Sequence, residues 1–251
     1  MTLKGKYNPY HVLVSECMLQ QTQVERVIPK YKAFLKKYPT LQKVALADEI
    51  EVLRLWQGLG YNRRARNLLR TAIVIKNEYK GTFPQEYGEL LRLPGIGPYT
   101  ASALQVFAFN KPVVLIETNI RAVFLDCFFE GKKKVADAQL LPHIERTIDR
   151  LNPRKWYSAL MDYGAMLKRT KSNPSRRSTH HVKQKPFVGS VRFARGRILK
   201  ELLKSTHNQY QINDLKQIVN VSNQHFTQAL KGLTKEHFIK VKNKTVSLMK
   251  S

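Results

Sequence analysis

The sequence predicts a mainly α-helical protein that ends in a small α+β module. Three observations carry that prediction. Apolar residues recur at helical spacing from Tyr10 to about Leu167, and no strand-like alternation occurs in that stretch. A run without any aliphatic residue, Lys168 to His181, then interrupts the pattern. After Pro186 it resumes as three helical segments followed by one stretch of period two. At 251 residues the chain has room for one large or two modest cores. We divide it into residues 1–185 and 186–251.

In the first part, Val24, Val27, Ile28, Tyr31, Phe34 and Leu35 form one helical stripe, and Val52, Leu53, Leu55 and Trp56 form another. Prolines at 29, 39, 84, 94, 112, 142 and 153 punctuate the run, most of them near expected helix boundaries. Residues 93–101, Leu-Pro-Gly-Ile-Gly-Pro-Tyr-Thr-Ala, join two helical patterns. Gly95 and Gly97 permit a tight turn with positive φ and leave the backbone open to a ligand. The helix that follows begins with unpaired amides, which attract phosphate. Leu93 and Ile96 are expected to pin the turn into the core. Such a hairpin clamps phosphate without reading sequence. By themselves these residues also fit an ordinary helix corner.

The polar run, continued to Lys185, reads as an extended basic arm over 168–185, with Lys168, Arg169, Arg176 and Arg177 available to phosphates. His180 and His181 are adjacent, but no cluster of further ligands accompanies them, so no metal site is expected. In the terminal part, Ser190 is placed to cap a helix from Val191 to Lys204, and helical patterns follow near 212–219 and 223–233. Residues 238–248 alternate around an Asn243-Lys244 turn, as a β-hairpin does. Three helices and a hairpin is the winged-helix order. The helix from Asn223 would be its recognition helix, showing Gln224, Gln228 and Lys231. Such modules serve DNA contact or protein packing, and the sequence leaves both open.

Charge narrows the function. The chain carries 44 Lys+Arg against 18 Asp+Glu, a net +26, and from residue 186 onward 12 basic residues face three acidic ones. That excess repels itself in the folded state and points to a polyanionic partner. No basic amphipathic helix or long apolar run supports a membrane surface, so double-stranded DNA is the expected partner and no membrane is. The only cysteines are Cys17 and Cys127, both in apolar stretches, which reads as two buried thiols in a reducing compartment. Without a hydrophobic leader in the sequence, an intracellular protein of the cytoplasm or nucleoid is expected. A monomer is the expected working state.

Two carboxylates stand out. Glu16 is the sole acidic residue in the first 24 positions and sits between Val12-Leu13-Val14-Ser15 and Cys17-Met18-Leu19. Glu117 follows the apolar run Val113–Ile116 and precedes Thr118-Asn119. Cleaving an N-glycosidic bond needs an acid for the leaving base and a carboxylate for the sugar cation. A Glu in an apolar place is a suitable acid because burial raises its pKa. Each is also the kind of acid that sits at a helix start against the dipole.

Several segments together resemble the adenine DNA glycosylase (MutY-type) branch of the helix-hairpin-helix (HhH-GPD) glycosylases, over about residues 8 to 170. They are Ser15-Glu16-x-Met18-Leu19-Gln20-Gln21-Thr22-Gln23-Val24, Gly58-Leu59-Gly60-Tyr61, Arg64-Ala65-Arg66-Asn67-Leu68, the hairpin itself, and Met161-Asp162-x-Gly164-Ala165. The resemblance implies a two-lobed all-helical glycosylase fold. It implies Glu16 as the acid that protonates adenine N7 and then activates water. It implies Tyr99 beside the pocket, and Asn119 keeps the family's asparagine, both counted with Glu16 and Glu117 as catalytic. Gln20, Gln21 and Tyr61 would enter the base stack while the target flips out. Arg64, Leu93, Gly95, Ile96, Gly97 and Thr100 complete the expected DNA contacts.

The departures are specific. Glu117-Thr118-Asn119 stands where the family has Asp-Gly-Asn, moving the carboxylate by about one methylene, and misplacement by an ångström can lower a rate about 100-fold. Tyr99 stands where lyase relatives have lysine, which implies base removal without an imine intermediate. The iron–sulfur cysteines and the Nudix-like domain of the family are absent from this sequence, so no 4Fe-4S cluster is expected. The hairpin carbonyls are a candidate seat for a monovalent cation. The leading reading is a monofunctional glycosylase for adenine opposite 8-oxoguanine or guanine. A thymine or uracil mismatch glycosylase, and a non-catalytic DNA-binding protein, are the alternatives.

Overall fold

A computed structural model describes residues 7–182 and 186–249. Residues 183–185, the end of the expected arm, lie outside the described residues, as do residues 1–6 and 250–251. The first lobe consists of α1 (Pro9–Leu19), α2 (Val24–Lys37), α3 (Leu41–Ala45), α4 (Glu49–Trp56), α5 (Arg63–Glu78), α6 (Tyr87–Arg92) and α7 (Pro98–Phe107). The second consists of α8 (Thr118–Phe128), α9 (Asp137–Thr147) and α10 (Pro153–Thr170). A 3-10 turn, Pro174–Arg177, leads toward α11 (Val191–Lys204), β1 (Gln209–Gln211), α12 (Ile212–Val219), α13 (Asn223–Lys235), β2 (Ile239–Lys242) and β3 (Thr245–Leu248). No helix among the described residues is long and apolar enough to cross a membrane.

Local chemistry sets many of these boundaries. Asn8 caps α1, its Oδ1 accepting from the Tyr10 amide, and Pro9 supplies the preset first helical φ. Asp48 caps α4 through the amides of Ile50 and Glu51. Ser190 caps α11 as its sequence position predicts. Pro29 and Pro142 depart from the boundary rule and lie inside α2 and α9. Each removes one backbone donor, which these helices tolerate.

Two apolar cores divide the molecule. Trp56, Phe34, Leu13 and Met18 centre the first. Ile120, Phe124, Leu140 and Tyr157 centre the second, on the far side of α7. The terminal module does not hang apart: its Ile198, Leu202, Phe226 and Phe238 are continuous with the first core. A polar clamp reinforces that joint. Arg66 of α5 forms a buried ion pair with Glu49 (2.5 Å), donates to the carbonyls of Glu236 and His237, and lies 3.7 Å from the Phe238 ring centre. The module carries the expected three helices and the Asn243-Lys244 turn, both turn residues having positive φ. It adds β1, which pairs antiparallel with β3 to make the order β1-β3-β2 and is too short to read from sequence.

The arm is more ordered than its composition suggests. α10 continues through Lys168 and Arg169, and Pro174, Ser175 and Ser178 are buried, with Ser178 bridging Val135. The reason is Arg177, which donates to the carbonyls of Phe129 (2.7 Å) and Leu125 (2.8 Å) and so closes the end of α8.

Candidate active site

Glu16 lies on α1 among Leu13, Val14, Cys17 and Met18, and only 6% of its surface is exposed. Burial pushes its carboxyl up to about 7. The Tyr99 hydroxyl, donating to the carboxylate, opposes that rise, and the nearby charge of Glu117 adds to it. Burial thus favours the neutral acid form of Glu16 well above the pH at which a free carboxyl ionises. Tyr99 is the second residue of α7; burial, then the charges of Glu16 and Glu117, keep it a phenol. The structure thus brings Glu16, Glu117 and Tyr99 into one group.

Glu117 is held differently. It is the N-cap of α8, and its Oε1 accepts from the amides of Asn119 (2.5 Å) and Ile120 (2.9 Å). Burial is the larger influence and leaves its carboxyl above the usual range, while those two amides, Lys168 and Arg121 offset part of the rise. Of the two carboxylates, Glu117 is the one surrounded by groups that favour its charge. The extended strand before it is fixed by Tyr157, whose hydroxyl accepts from the Leu115 amide and donates to the Val113 carbonyl. Asn119 is on the first turn of α8, and its buried Oδ1 has no hydrogen-bond partner among the described residues. An unpaired acceptor at that place can receive an N–H or a water.

The hairpin joins α6 to α7. Gly95 has φ +76, and a Cβ there would lie 2.3 Å from the Asn67 side chain on α5, so both the turn and the packing require glycine. Gly97 does not fit the same expectation. Its φ is −92, and a Cβ would meet nothing within 4 Å, so it leaves open space rather than permitting a left-handed turn. No side chain caps α7 at Gly97, so its first-turn amides have no side-chain cap.

Several expected DNA contacts are corrected. Arg64 is buried and donates to the carbonyls of Cys17 (2.7 Å), Met18 (3.0 Å), Gln20 (2.7 Å), Leu59 (3.2 Å) and Gly60 (3.0 Å). It closes the end of the helix that carries Glu16. Arg177 is likewise tied to α8. Thr100 is 2% exposed, and its hydroxyl accepts from Gln20 Nε2. Leu93 and Ile96 are buried, so the hairpin can meet DNA only through its backbone. Lys168 is half-buried beside Glu117. Arg169 and Arg176 are exposed, as are Gln21 and Tyr61. The last two are non-glycine residues with φ of 53 and 49, the kind of backbone strain that persists where a site demands it.

Cys17 is buried with its thiol pushed up to about 12, whereas Cys127 is exposed, against the expectation of two buried thiols. Two thiols do not fit a cluster that needs four thiolates. Among the described residues no group of three or more His, Cys, Asp or Glu gathers as a metal site. The sequence reading missed Tyr157, whose only signal was a lone aromatic in a helical pattern, and it missed Arg192 of the terminal module, which donates to the Tyr61 hydroxyl (3.2 Å).

The profile of the "HhH-GPD superfamily base excision DNA repair protein" family matches residues 14–146. Over 170 residues the chain is 39% identical to the adenine DNA glycosylase of Buchnera aphidicola subsp. Baizongia pistaciae, covering 67% of this chain and 48% of that one. It is 47% identical over 114 residues to the adenine DNA glycosylase of Mycolicibacterium smegmatis, covering 45% and 39%. To the Homo sapiens adenine DNA glycosylase it is 37% identical over 160 residues, covering 62% and 29%. The chain thus spans about half or less of the length of these curated relatives. Among solved structures, a thermostable thymine-DNA glycosylase superposes with a TM-score of 0.56 at 25% identity, over 65% of this chain and 76% of that one.

Proposed function

The chain belongs to the HhH-GPD superfamily of base excision DNA repair proteins, and from that premise we propose that it is a monofunctional DNA N-glycosylase that removes adenine from a mispair with 8-oxoguanine or guanine. The observation that carries this reading is the buried Glu16, hydrogen-bonded by Tyr99 and close to Glu117, which caps α8 through two backbone amides. Burial raises both carboxyls, and only Glu117 has two backbone amides and two nearby cations that offset the rise, which assigns the acid to Glu16 and the anion to Glu117. The family match over residues 14–146 includes both, and the likeness to adenine DNA glycosylases supports adenine as the base.

The duplex is held by its phosphates at the amide end of α7, and the mispaired nucleotide is extruded, which costs a few kcal/mol. Glu16 gives its proton to a ring nitrogen of the base, N7 in the case of adenine. The bond between C1′ and N9 breaks, and its electron pair leaves on the neutralised base. The Glu117 carboxylate faces the sugar cation that forms. Glu16, now ionised, takes a proton from water as the water oxygen bonds to C1′, and the acid is regenerated. Tyr99 holds Glu16 in place and brings no amine, so no imine forms. The chain works as a monomer on double-stranded DNA without an iron–sulfur cluster, and a monovalent cation at the hairpin carbonyls would strengthen the phosphate contact.

The test is a panel of duplexes carrying A·8-oxoG, A·G, T·G, U·G or hypoxanthine, each followed by alkaline cleavage. Release from the first two, with no borohydride-trapped adduct, is the expected result. Release from T·G or U·G alone would move the activity to pyrimidines. Silence on every duplex would leave a DNA-binding protein rather than an enzyme.

A further inference from the structure

We propose that the solvent-facing side of the terminal sheet is a second contact for duplex DNA, holding phosphates away from the extruded base. The proposal goes beyond the glycosylase reading and needs only that the chain binds DNA. Strand alternation builds this face. The register sets Gln209, Ser247 and Lys240 in one cross-strand row and Gln211, Thr245 and Lys242 in the next. Directly paired residues share a side of a sheet, as do residues two apart along a strand. The intervening row, Tyr210, Val246 and Val241, lies on the other side with Ile239 and Leu248, and Val246, Ile239 and Leu248 join the first core. On the polar side the two lysines and two glutamines are exposed, with the serine and threonine half-buried between them. Gln211 Nε2 donates to the Thr245 hydroxyl (3.0 Å), which fixes one row.

Each row offers an amide, a hydroxyl and an ammonium group. All three donate hydrogen bonds to phosphate, and the six residues include neither a carboxylate nor an aromatic ring. Protein interfaces favour aromatic residues and are depleted of lysine, so this composition suits a polyanion. At a strand spacing of about 4.8 Å and a two-residue rise of about 7 Å, the six side chains cover a patch about 10 Å long. That is room for about three phosphates of one strand, which recur about every 3.4 Å along the duplex axis. Two of the module's three acidic residues are engaged elsewhere. Glu236 receives both arms of Arg195 (2.9 and 2.7 Å), and Glu201 pairs with Lys204 (3.3 Å). The face is also fixed against the first lobe. Arg54 of α4 donates to the Leu203 carbonyl and to Asn208 Oδ1, both at 3.2 Å, and Asn208 directly precedes β1. Arg66 of α5 holds the carbonyls of Glu236 and His237 just ahead of β2. Two arginines thus anchor the starts of the two outer strands. A second contact held in this way acts at high effective concentration on a duplex that the lobes already hold.

The test is equilibrium binding of an undamaged duplex of about 30 base pairs, three helical turns, measured from about 50 to 200 mM salt. Four proteins are compared: the unaltered one, Lys240→Gln with Lys242→Gln, Lys240→Arg with Lys242→Arg, and Lys32→Gln with Lys36→Gln. The last pair removes the same charge from exposed positions on α2. Losing two phosphate contacts at Lys240 and Lys242 should lower the steepness of the log–log salt dependence by about 1.8 and the affinity near 0.1 M salt by about tenfold or more. The arginine pair keeps both charges and should restore both values. The α2 pair should change the steepness much less. An unchanged salt dependence in the Lys240→Gln, Lys242→Gln protein would overturn the proposal, and aggregation of that protein would then mark the two lysines as guards of an edge strand. An equal loss from the α2 pair would overturn it by reducing the effect to net charge, and failure of arginine to restore binding would overturn it by removing charge as the cause. The duplex is undamaged, so the measurement still decides the proposal if no duplex in the panel above loses a base and the glycosylase reading fails.

Discussion

The two carboxylates face one group from walls built in opposite ways. Around Glu16 the wall is dry, and the helix carrying it is fixed at its end by Arg64, which gathers the carbonyls of Cys17, Met18 and Gln20. Around Glu117 the wall is polar, with two backbone amides, Lys168 and Arg121 all favouring its charge. Burial raises both carboxyls, but only the Glu117 wall supplies backbone amides and cations that offset it. The difference shows that a single kind of side chain takes two roles through what surrounds it, and that position is secured on one side by hydrogen bonds and on the other by close helix packing.

The largest effect that sharpens this comparison is on the rate. Glu16→Gln keeps the shape and hydrogen-bonding capacity but cannot give up a proton, and general acid catalysis is worth about 10²–10⁴-fold. Single-turnover base release should fall by that much while duplex binding is retained. In the unaltered protein the rate of release should decline as pH rises through about 7, where Glu16 ionises. A rate that is flat from pH 5 to 9, or a Glu16→Gln protein of normal speed, would remove the acid from the mechanism.

The same residue should oppose stability. Its folded pKa is raised, to about 7 from a reference of 4.5, so the folded state binds its proton more tightly than the unfolded one. Below about pH 4.5 both states are protonated and nothing is lost; between 4.5 and 7 the ionised form is increasingly disfavoured in the folded protein. Above pH 7 the full effect is about 3 kcal/mol, at 1.36 kcal/mol per unit. Glu16→Gln does not titrate, so its Tm should exceed that of the unaltered protein at pH 8 by several degrees and the excess should shrink at pH 5. An excess independent of pH would mean that burial of charge is not its origin.

How much of this was written in the sequence depends on the range of the interaction. Helices, caps and the terminal hairpin were readable because Ser190, the Asn243-Lys244 turn and the apolar periods act within a few residues. Glu16 was readable because its neighbours along α1 are the ones that bury it. Arg64 was misread because a cation in a basic protein looks like a phosphate contact until its carbonyl partners, some 44 to 47 residues away in sequence, are seen. Arg177 misled for the same reason, at separations of 48 and 52. The Arg192–Tyr61 bond spans 131 residues between modules, and no local pattern encodes it.

Glu117 provides the next test. Its carboxylate caps α8 and faces the sugar cation, so Glu117→Ala should lower release about 100-fold, the lower end for losing one electrostatic stabiliser. It should also cost about 1 kcal/mol of stability through the lost cap. Glu117→Asp separates the two roles, since aspartate is a good cap on a shorter stem. It should keep the Tm near that of the unaltered protein while changing the rate. If Glu117→Ala changed only the Tm, the residue would be a cap and nothing more.

The smallest effect bears on how the Glu117 wall is placed. Gly164 of α10 has no Cβ where α8 passes: an added Cβ would lie 2.2 Å from the Asn119 carbonyl oxygen and 2.6 Å from its carbon. Both atoms are backbone, so the contact can be relieved only by parting the helices. Gly164→Ala should therefore cost about 1–3 kcal/mol, the usual range for overpacking. It should also move the first turn of α8, and with it Glu117, away from Glu16. Since displacement by an ångström can lower a rate about 100-fold, base release should fall further than the modest loss of stability implies. The Glu16 wall, held by Arg64, should be spared, and the pH at which the rate turns down should stay near 7. A Gly164→Ala protein with lowered Tm and a normal rate would show that the α8–α10 approach supports the fold without setting the position of the anion.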